Sequence, residues 1–252
     1  MSEPQILAGA EPFFFKGNKI GCILCHGFTG TPQSMSFLGE FLASEGGLTV
    51  VGPRLQGHGT RVDDMAQSCA EDWIRSVETA LQSLRKRCSR IFMAGLSMGG
   101  TLTLYTAAMH PGVIRGAIPI NGPVFLSNPD LASLAFKADA PATIPSLGSD
   151  IKKPDVFELA YDQYPVRSIR ELYTLASVTR DLLPRINCPT LVFQSRDDHI
   201  VAPDNAPFIM DNIGTQEKQL SWLENSYHVA TLDNDKELIA TQLLQFIRNA
   251  SS

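Results

Sequence analysis

The residues of this chain whose types and spacing suit nucleophilic chemistry are a serine between glycines, a late histidine and two adjacent aspartates. The serine lies in Gly95-Leu96-Ser97-Met98-Gly99, with Gly100 following. A G-x-S-x-G match alone is weak, because at average Gly and Ser frequencies of about 7% chance supplies one in roughly a tenth of chains this long. Its setting adds weight. The apolar run Arg90 to Ala94 reads as a strand before it, and Leu102, Tyr105 and Met109 recur at helical spacing after it. On such a sharp strand–turn–helix corner the hydroxyl stands above the sheet and the glycines leave room for the turn. The next N–H, that of Met98, opens a helix and suits a developing oxyanion.

A serine hydroxyl is a poor nucleophile without a base. With this turn the partners follow in the order serine, acid, histidine, each after a strand. Of the five histidines, His26 and His58 come too early, His110 ends the helix that starts at the serine, and His199 sits on the acid's own loop. His228 remains, in a polar loop before the last helix. The acid belongs after the strand ending at Ser195, where Asp197 and Asp198 adjoin and composition does not separate them. A neutral histidine base predicts activity that falls as pH drops through about 6 to 7. No metal-ligand spacing is present, so neither metal nor cofactor is expected. Cys22-Ile23-Leu24-Cys25-His26 matches the haem-attachment spelling, but it lies on an apolar run. Residues three apart on a strand face opposite sides, so the sulfurs diverge and the cysteines read as packing residues.

The elements that must position these groups alternate along the chain. Strands are expected at 12–15, 20–25, 48–52, 91–96, 114–121, 189–195 and 219–223, and helices at 33–44, 71–86, 98–110, 204–212 and 236–249. This rhythm implies a mostly parallel sheet with helices on both faces. From 122 to 186 it breaks into prolines and helical pieces at 155–163 and 167–183. That stretch reads as a small helical insertion over one end of the sheet. Its residues Phe125, Leu131, Phe136, Ile144 and Leu147 either line an apolar pocket or pack onto the core.

Composition bounds the rest. The 252 residues are 44% hydrophobic and 19% charged, with a net charge of −5, which excludes a disordered chain and a basic nucleic-acid footprint. No apolar run reaches the roughly 20 residues of a membrane span. The first residues lack the features of a signal peptide, and five cysteines are an odd number, so a cytoplasmic protein with reduced thiols is expected.

Ser97, the acid loop and His228 together resemble the α/β-hydrolase fold. His26-Gly27-Phe28-Thr29-Gly30, Gly57-His58-Gly59-Thr60, Asp198-His199-Ile200-Val201 and Ser226-Tyr227-His228-Val229 resemble its bacterial monoacylglycerol lipase and carboxylesterase branch, as does Gly148 to Tyr161. The resemblance runs nearly end to end. It implies an α/β-hydrolase core over 1–121 and 187–252 and a cap over 122–186. It implies Asp198 rather than Asp197 as the acid, because the family acid precedes a valine by three residues. It implies the Phe28 N–H as the second oxyanion donor beside Met98, and Glu158 as a carboxylate facing glycerol hydroxyls. The implied activity is hydrolysis of monoacylglycerols through an acyl-enzyme. Alternatives are a general carboxylesterase and an inactive ligand-binding scaffold. The expected partner is a small lipid or ester, with at most transient membrane or micelle contact through the cap, in a monomer or homodimer.

Overall fold

The computed structural model describes residues 4–251; the first three residues, on which the leader reading partly rests, lie outside the described residues. Seven strands form one sheet in the order β1-β3-β2-β4-β5-β8-β9. They are β1 (Phe13–Phe15), β2 (Ile20–Cys25), β3 (Thr49–Gly52), β4 (Arg90–Leu96), β5 (Ile114–Ile120), β8 (Thr190–Ser195) and β9 (Lys218–Leu223). Only β1 pairs antiparallel; the other neighbours are parallel. Nearly every residue of β2, β4 and β8 is buried, as a parallel strand covered on both faces requires.

Helices cover both faces. On one side lie α1 (Gln33–Ser44) and α8 (Lys236–Asn249), whose Met35, Leu38, Leu42, Ile239 and Leu243 pack with Cys22, Phe92 and Phe193. On the other lie α3 (Ala70–Arg85), α4 (Met98–Met109) and α7 (Asn205–Asn212), whose Trp73, Val77, Leu81, Leu102 and Ile209 pack with Cys25, Ile23 and Met93. The α3 residues Trp73, Val77, Leu81 and Leu84 form the stripe of an amphipathic helix. Cys22 and Cys25 thus lie in opposite core layers, and burial pushes both thiols up.

The sequence reading missed the short α2 (Val62–Gln67). The segment between β5 and β8 also differs from it. It holds α5 (Pro129–Phe136), an antiparallel pair of β6 (Thr143–Pro145) with β7 (Gln163–Pro165), α6 (Val166–Leu182) and a final 3-10 turn. Pro129, one of the prolines that interrupt the sequence rhythm here, does not break a helix but occupies the first turn of α5. The Asn128 side chain caps that helix by accepting the Asp130 and Leu131 N–H groups. The expected helix at 155–163 does not form. Its backbone N–H groups go elsewhere: Glu158 to Ser149 Oγ, Leu159 to Gln33 Oε1 and Tyr161 to the Thr29 carbonyl. Among the described residues no helix is long and apolar enough to cross a membrane.

The first turn of α4 meets the end of β2 at Gly99. A Cβ on Gly99 would stand 2.1 Å from the Cys25 carbonyl oxygen. Gly99→Ala is therefore expected to cost about 1–3 kcal/mol or more, as overpacking does. A thermal melt should show it as a drop of about 2–4 °C per kcal/mol at this size; an unchanged Tm would contradict the contact.

Candidate active site

Ser97 sits between the end of β4 and the first turn of α4 with φ 55° and ψ −122°, a conformation that non-glycine residues rarely adopt. Its own N–H donates to the Ile120 carbonyl at 2.8 Å, which anchors the corner to β5. Gly95 and Gly100 are equally constrained. A Cβ on Gly95 would stand 2.2 Å from the Gly99 carbonyl oxygen, and one on Gly100 2.8 Å from Gly122 Cα. The loop after β2 comes alongside, since a Cβ on Gly27 would be 3.2 Å from Ser97 Cβ. No acceptor among the described residues takes the Phe28 or the Met98 N–H.

The buried Asp198 and His228 meet directly, with His228 Nδ1 2.9 Å from Asp198 Oδ2. Asp198 Oδ1 accepts the Ile200 and Val201 N–H groups at 2.9 and 2.8 Å. A carboxylate so held accepts a hydrogen bond from Nδ1–H and leaves Nε2 with a lone pair. Asp197 points away, with an oxygen 3.7 Å from Lys152 Nζ. Burial disfavours the charged His228 ring, but Asp198 above all, then Glu158 and Asp150, outweigh it and hold its pKa above the usual value.

Ser97, His228, Phe28 and Glu158 line one cavity of about 300 Å³. Leu126, Leu131, Leu147, Ile169 and Leu172 supply much of its apolar wall. Of the five apolar residues singled out in the sequence, Leu131 and Leu147 line it. Phe125 packs against Phe208, Ile144 pairs with Tyr164 in the β6–β7 ladder, and the exposed Phe136 lies against Tyr173 and Arg170. Burial pushes the Glu158 carboxyl up to about 7, with His228 and Ser34 pulling against it.

The remaining histidines take other places. His26 accepts the Leu55 N–H at Nε2, and its ring lies 5.1 Å from that of His58. Burial pushes His26 well down and His58 to about 4, so both are neutral supports of the neighbouring loops. His110 binds Glu78 at 2.6 Å on the far end of α4. His199 lies at the cavity rim with Nδ1 2.8 Å from Asp150. Among the described residues no cluster of His, Cys, Asp and Glu is arranged to hold a metal.

Sequence reasoning missed the groups that fix the loops. Buried Asn121 donates to the His228 carbonyl at 2.7 Å and accepts the Ser195 N–H at 2.7 Å, joining β5, β8 and the histidine loop. Buried Asp233 accepts four backbone N–H groups, from Lys152, Lys153, Tyr227 and Asn234. A polar residue just past a buried strand, as at Asn121, was the only signal available.

The sequence pattern of the Alpha/beta hydrolase family matches residues 22–241. The chain belongs to that family. It is 47% identical to a thermostable monoacylglycerol lipase of Bacillus sp. (strain H-257), over 98% of both chains. It is 29% identical to a carboxylesterase of Bacillus subtilis (strain 168), over 94% of this chain and 96% of the other. A solved structure of a metagenome-derived lipolytic enzyme is 52% identical, with a TM-score of 0.95 over 97% of this chain and all of that one. The Paleococcus ferrophilus monoacylglycerol lipase, 16% identical, shares the fold at a TM-score of 0.81 over 95% of this chain and 98% of that one.

The raised His228 pKa sharpens the pH expectation. The acid limb of kcat/KM on a soluble ester should have its midpoint above 6.5, the ordinary histidine value. A limb centred below that value would contradict the geometry.

Proposed function

We propose that this carboxylic ester hydrolase cleaves monoacylglycerols to glycerol and fatty acid, with Ser97 as nucleophile, His228 as base and Asp198 as its partner. One observation carries the reading: a single cavity brings Ser97, His228 and the Glu158 carboxyl together with an apolar leucine wall. Such a cavity suits a molecule with one ester, a small hydroxylated head and a long chain. The monoacylglycerol lipase that shares 47% of its residues over 98% of both chains supports the same substrate.

In this mechanism His228 Nε2 takes the Ser97 proton as Oγ attacks the ester carbonyl, and Asp198 stabilises the charged ring. The Phe28 and Met98 N–H groups receive the oxyanion, each worth about 3 kcal/mol in the transition state. Collapse expels the glycerol oxygen, which takes the proton from His228. Water, deprotonated by the same nitrogen, then releases the fatty acid and restores Ser97. Glu158 accepts hydrogen bonds from the glycerol hydroxyls. Residues 122–186 act as a cap, and the exposed Phe136, Leu147 and Phe157 on it suit transient contact with a micelle or membrane. A cytoplasmic location fits the five free cysteines.

Glycerol release from monoolein, diolein and triolein, measured beside p-nitrophenyl esters of increasing length, tests the reading. Monoolein should be preferred and Ser97→Ala should be inert. Glu158→Gln should raise KM for monoolein about tenfold, the loss expected of a hydrogen bond to a charged group, and leave short aryl esters unaffected. Rapid turnover of short esters with little action on monoolein would instead favour a general carboxylesterase, which the 29% identity to the Bacillus subtilis enzyme also supports.

A further inference from the structure

Asp150 lies between β6 and β7, in the inserted segment, yet its carboxylate reaches both loops that carry the Asp198–His228 pair. Oδ2 accepts the His199 N–H at 3.2 Å and the His228 N–H at 3.1 Å. Oδ1 accepts from His199 Nδ1 at 2.8 Å, and the Asp150 carbonyl accepts the Val229 N–H at 3.0 Å. The side chain is only 13% exposed. One oxygen is therefore the shared acceptor for the residue after the acid and for the base itself. Ser195 Oγ of β8 also reaches the histidine loop, donating to the Tyr227 carbonyl at 2.8 Å, but this bond involves neither His199 nor His228.

We propose that Asp150 is a positioning residue for His228: it locks the backbone of the base to that of the acid loop and adds a negative charge behind the ring. The proposal rests on the reading of His228 as the base. Loss of the bridge lets the two loops drift, and small misplacements of a base are costly because proton transfer needs hydrogen-bond contact. The charge acts separately from the bridge. The groups facing the ring are Asp198, Glu158 and Asp150. Nearby, His199 is paired with Asp150, and Lys152 lies 5.4 Å from the Tyr227 ring and 3.7 Å from Asp197.

Two substitutions separate bridge from charge. In Asp150→Asn the amide oxygen still accepts both N–H groups, and the amide nitrogen can donate to a neutral His199 ring. In Asp150→Ala both bridge and charge are gone. On a p-nitrophenyl ester, Asp150→Ala should lower kcat about 10- to 100-fold, the scale of a misplaced catalytic group, with KM little changed. Asp150→Asn should recover most of that kcat above neutral pH. Because Glu158 titrates in the same range, the His228 ring is best read directly, by its NMR titration in a Ser97→Ala background. There Asp150→Asn should shift the ring's titration to lower pH. Unchanged kcat in Asp150→Ala together with an unmoved His228 titration in Asp150→Asn would overturn the proposal. If Asp150→Ala does not fold, the Asparagine variant decides alone, and an unmoved titration there overturns it. His228→Ala in the same assay guards the underlying reading: full activity in that variant would sink the base assignment itself, whatever Asp150 does.

Discussion

The left-handed turn at Ser97 is the constraint around which the molecule is arranged. A non-glycine residue held there costs of the order of 1–3 kcal/mol and persists only where its surroundings over-determine it. Here they do. Gly95 and Gly99 let strand and helix backbones touch, Gly100 admits Gly122 from the end of β5, and the Ser97 N–H is tied to the Ile120 carbonyl. The parallel sheet then follows as a requirement. Only β2 and β5 on either side of β4 bring the Phe28 loop and the Asn121 corner to the same edge as the serine. The site lies beyond the carboxyl ends of the strands because the strained corner can form only there, where strand gives way to helix.

Carboxyl groups around that corner divide the work according to what they touch. Asp198 accepts two backbone N–H groups and the histidine, so it fixes a loop and a ring together. Asp233 accepts four backbone N–H groups and touches no reacting group; it holds the histidine loop against the inserted segment. Glu158 faces the cavity beside Ser34, whose hydroxyl donates to the Thr31 carbonyl at 3.1 Å, and burial raises the carboxyl to about 7. A carboxylate surrounded by amide donors suits structure, whereas one in a largely undonated cavity remains free to meet a substrate's hydroxyls.

Local pattern made much of this readable in advance. Both β2 and the last helix, α8, fall at the expected positions, because apolar runs and helical spacing are properties of neighbouring residues. Ser97 and His228 were singled out by motif setting and by elimination among five histidines. Asp197 and Asp198 were not separable by composition, and only the family resemblance favoured the second; the difference is one of direction, toward His228 or toward Lys152. Asn121, Asp150 and Asp233 were silent because their partners lie up to 107 residues away. The failed helix at 155–163 has the same origin, since its N–H groups are claimed by Ser149, by Gln33 of α1 and by the Thr29 carbonyl in the loop after β2 rather than by their own turn.

The inserted segment is therefore two structures with different attachments. The stretch from Asp150 to Tyr161 is laced to the core: Asp233 holds Lys152 and Lys153, Gln33 brackets Glu158 by bonding Phe157 and Leu159, and Tyr161 reaches Gly57 and Thr60. Helix α5 rests on α6, through Arg170 on the Ala135 carbonyl and Tyr173 on the Asn128 carbonyl. Opening free energy scales with such attachments, so the α5 side is the softer wall. That softer wall carries Leu131, whereas the laced one carries Glu158. Under the proposed function, a cavity built this way keeps a fixed geometry for the polar end of the substrate beside the serine. It leaves the apolar end to adapt, which is the division of tolerance that an ester with a constant head and a variable chain demands.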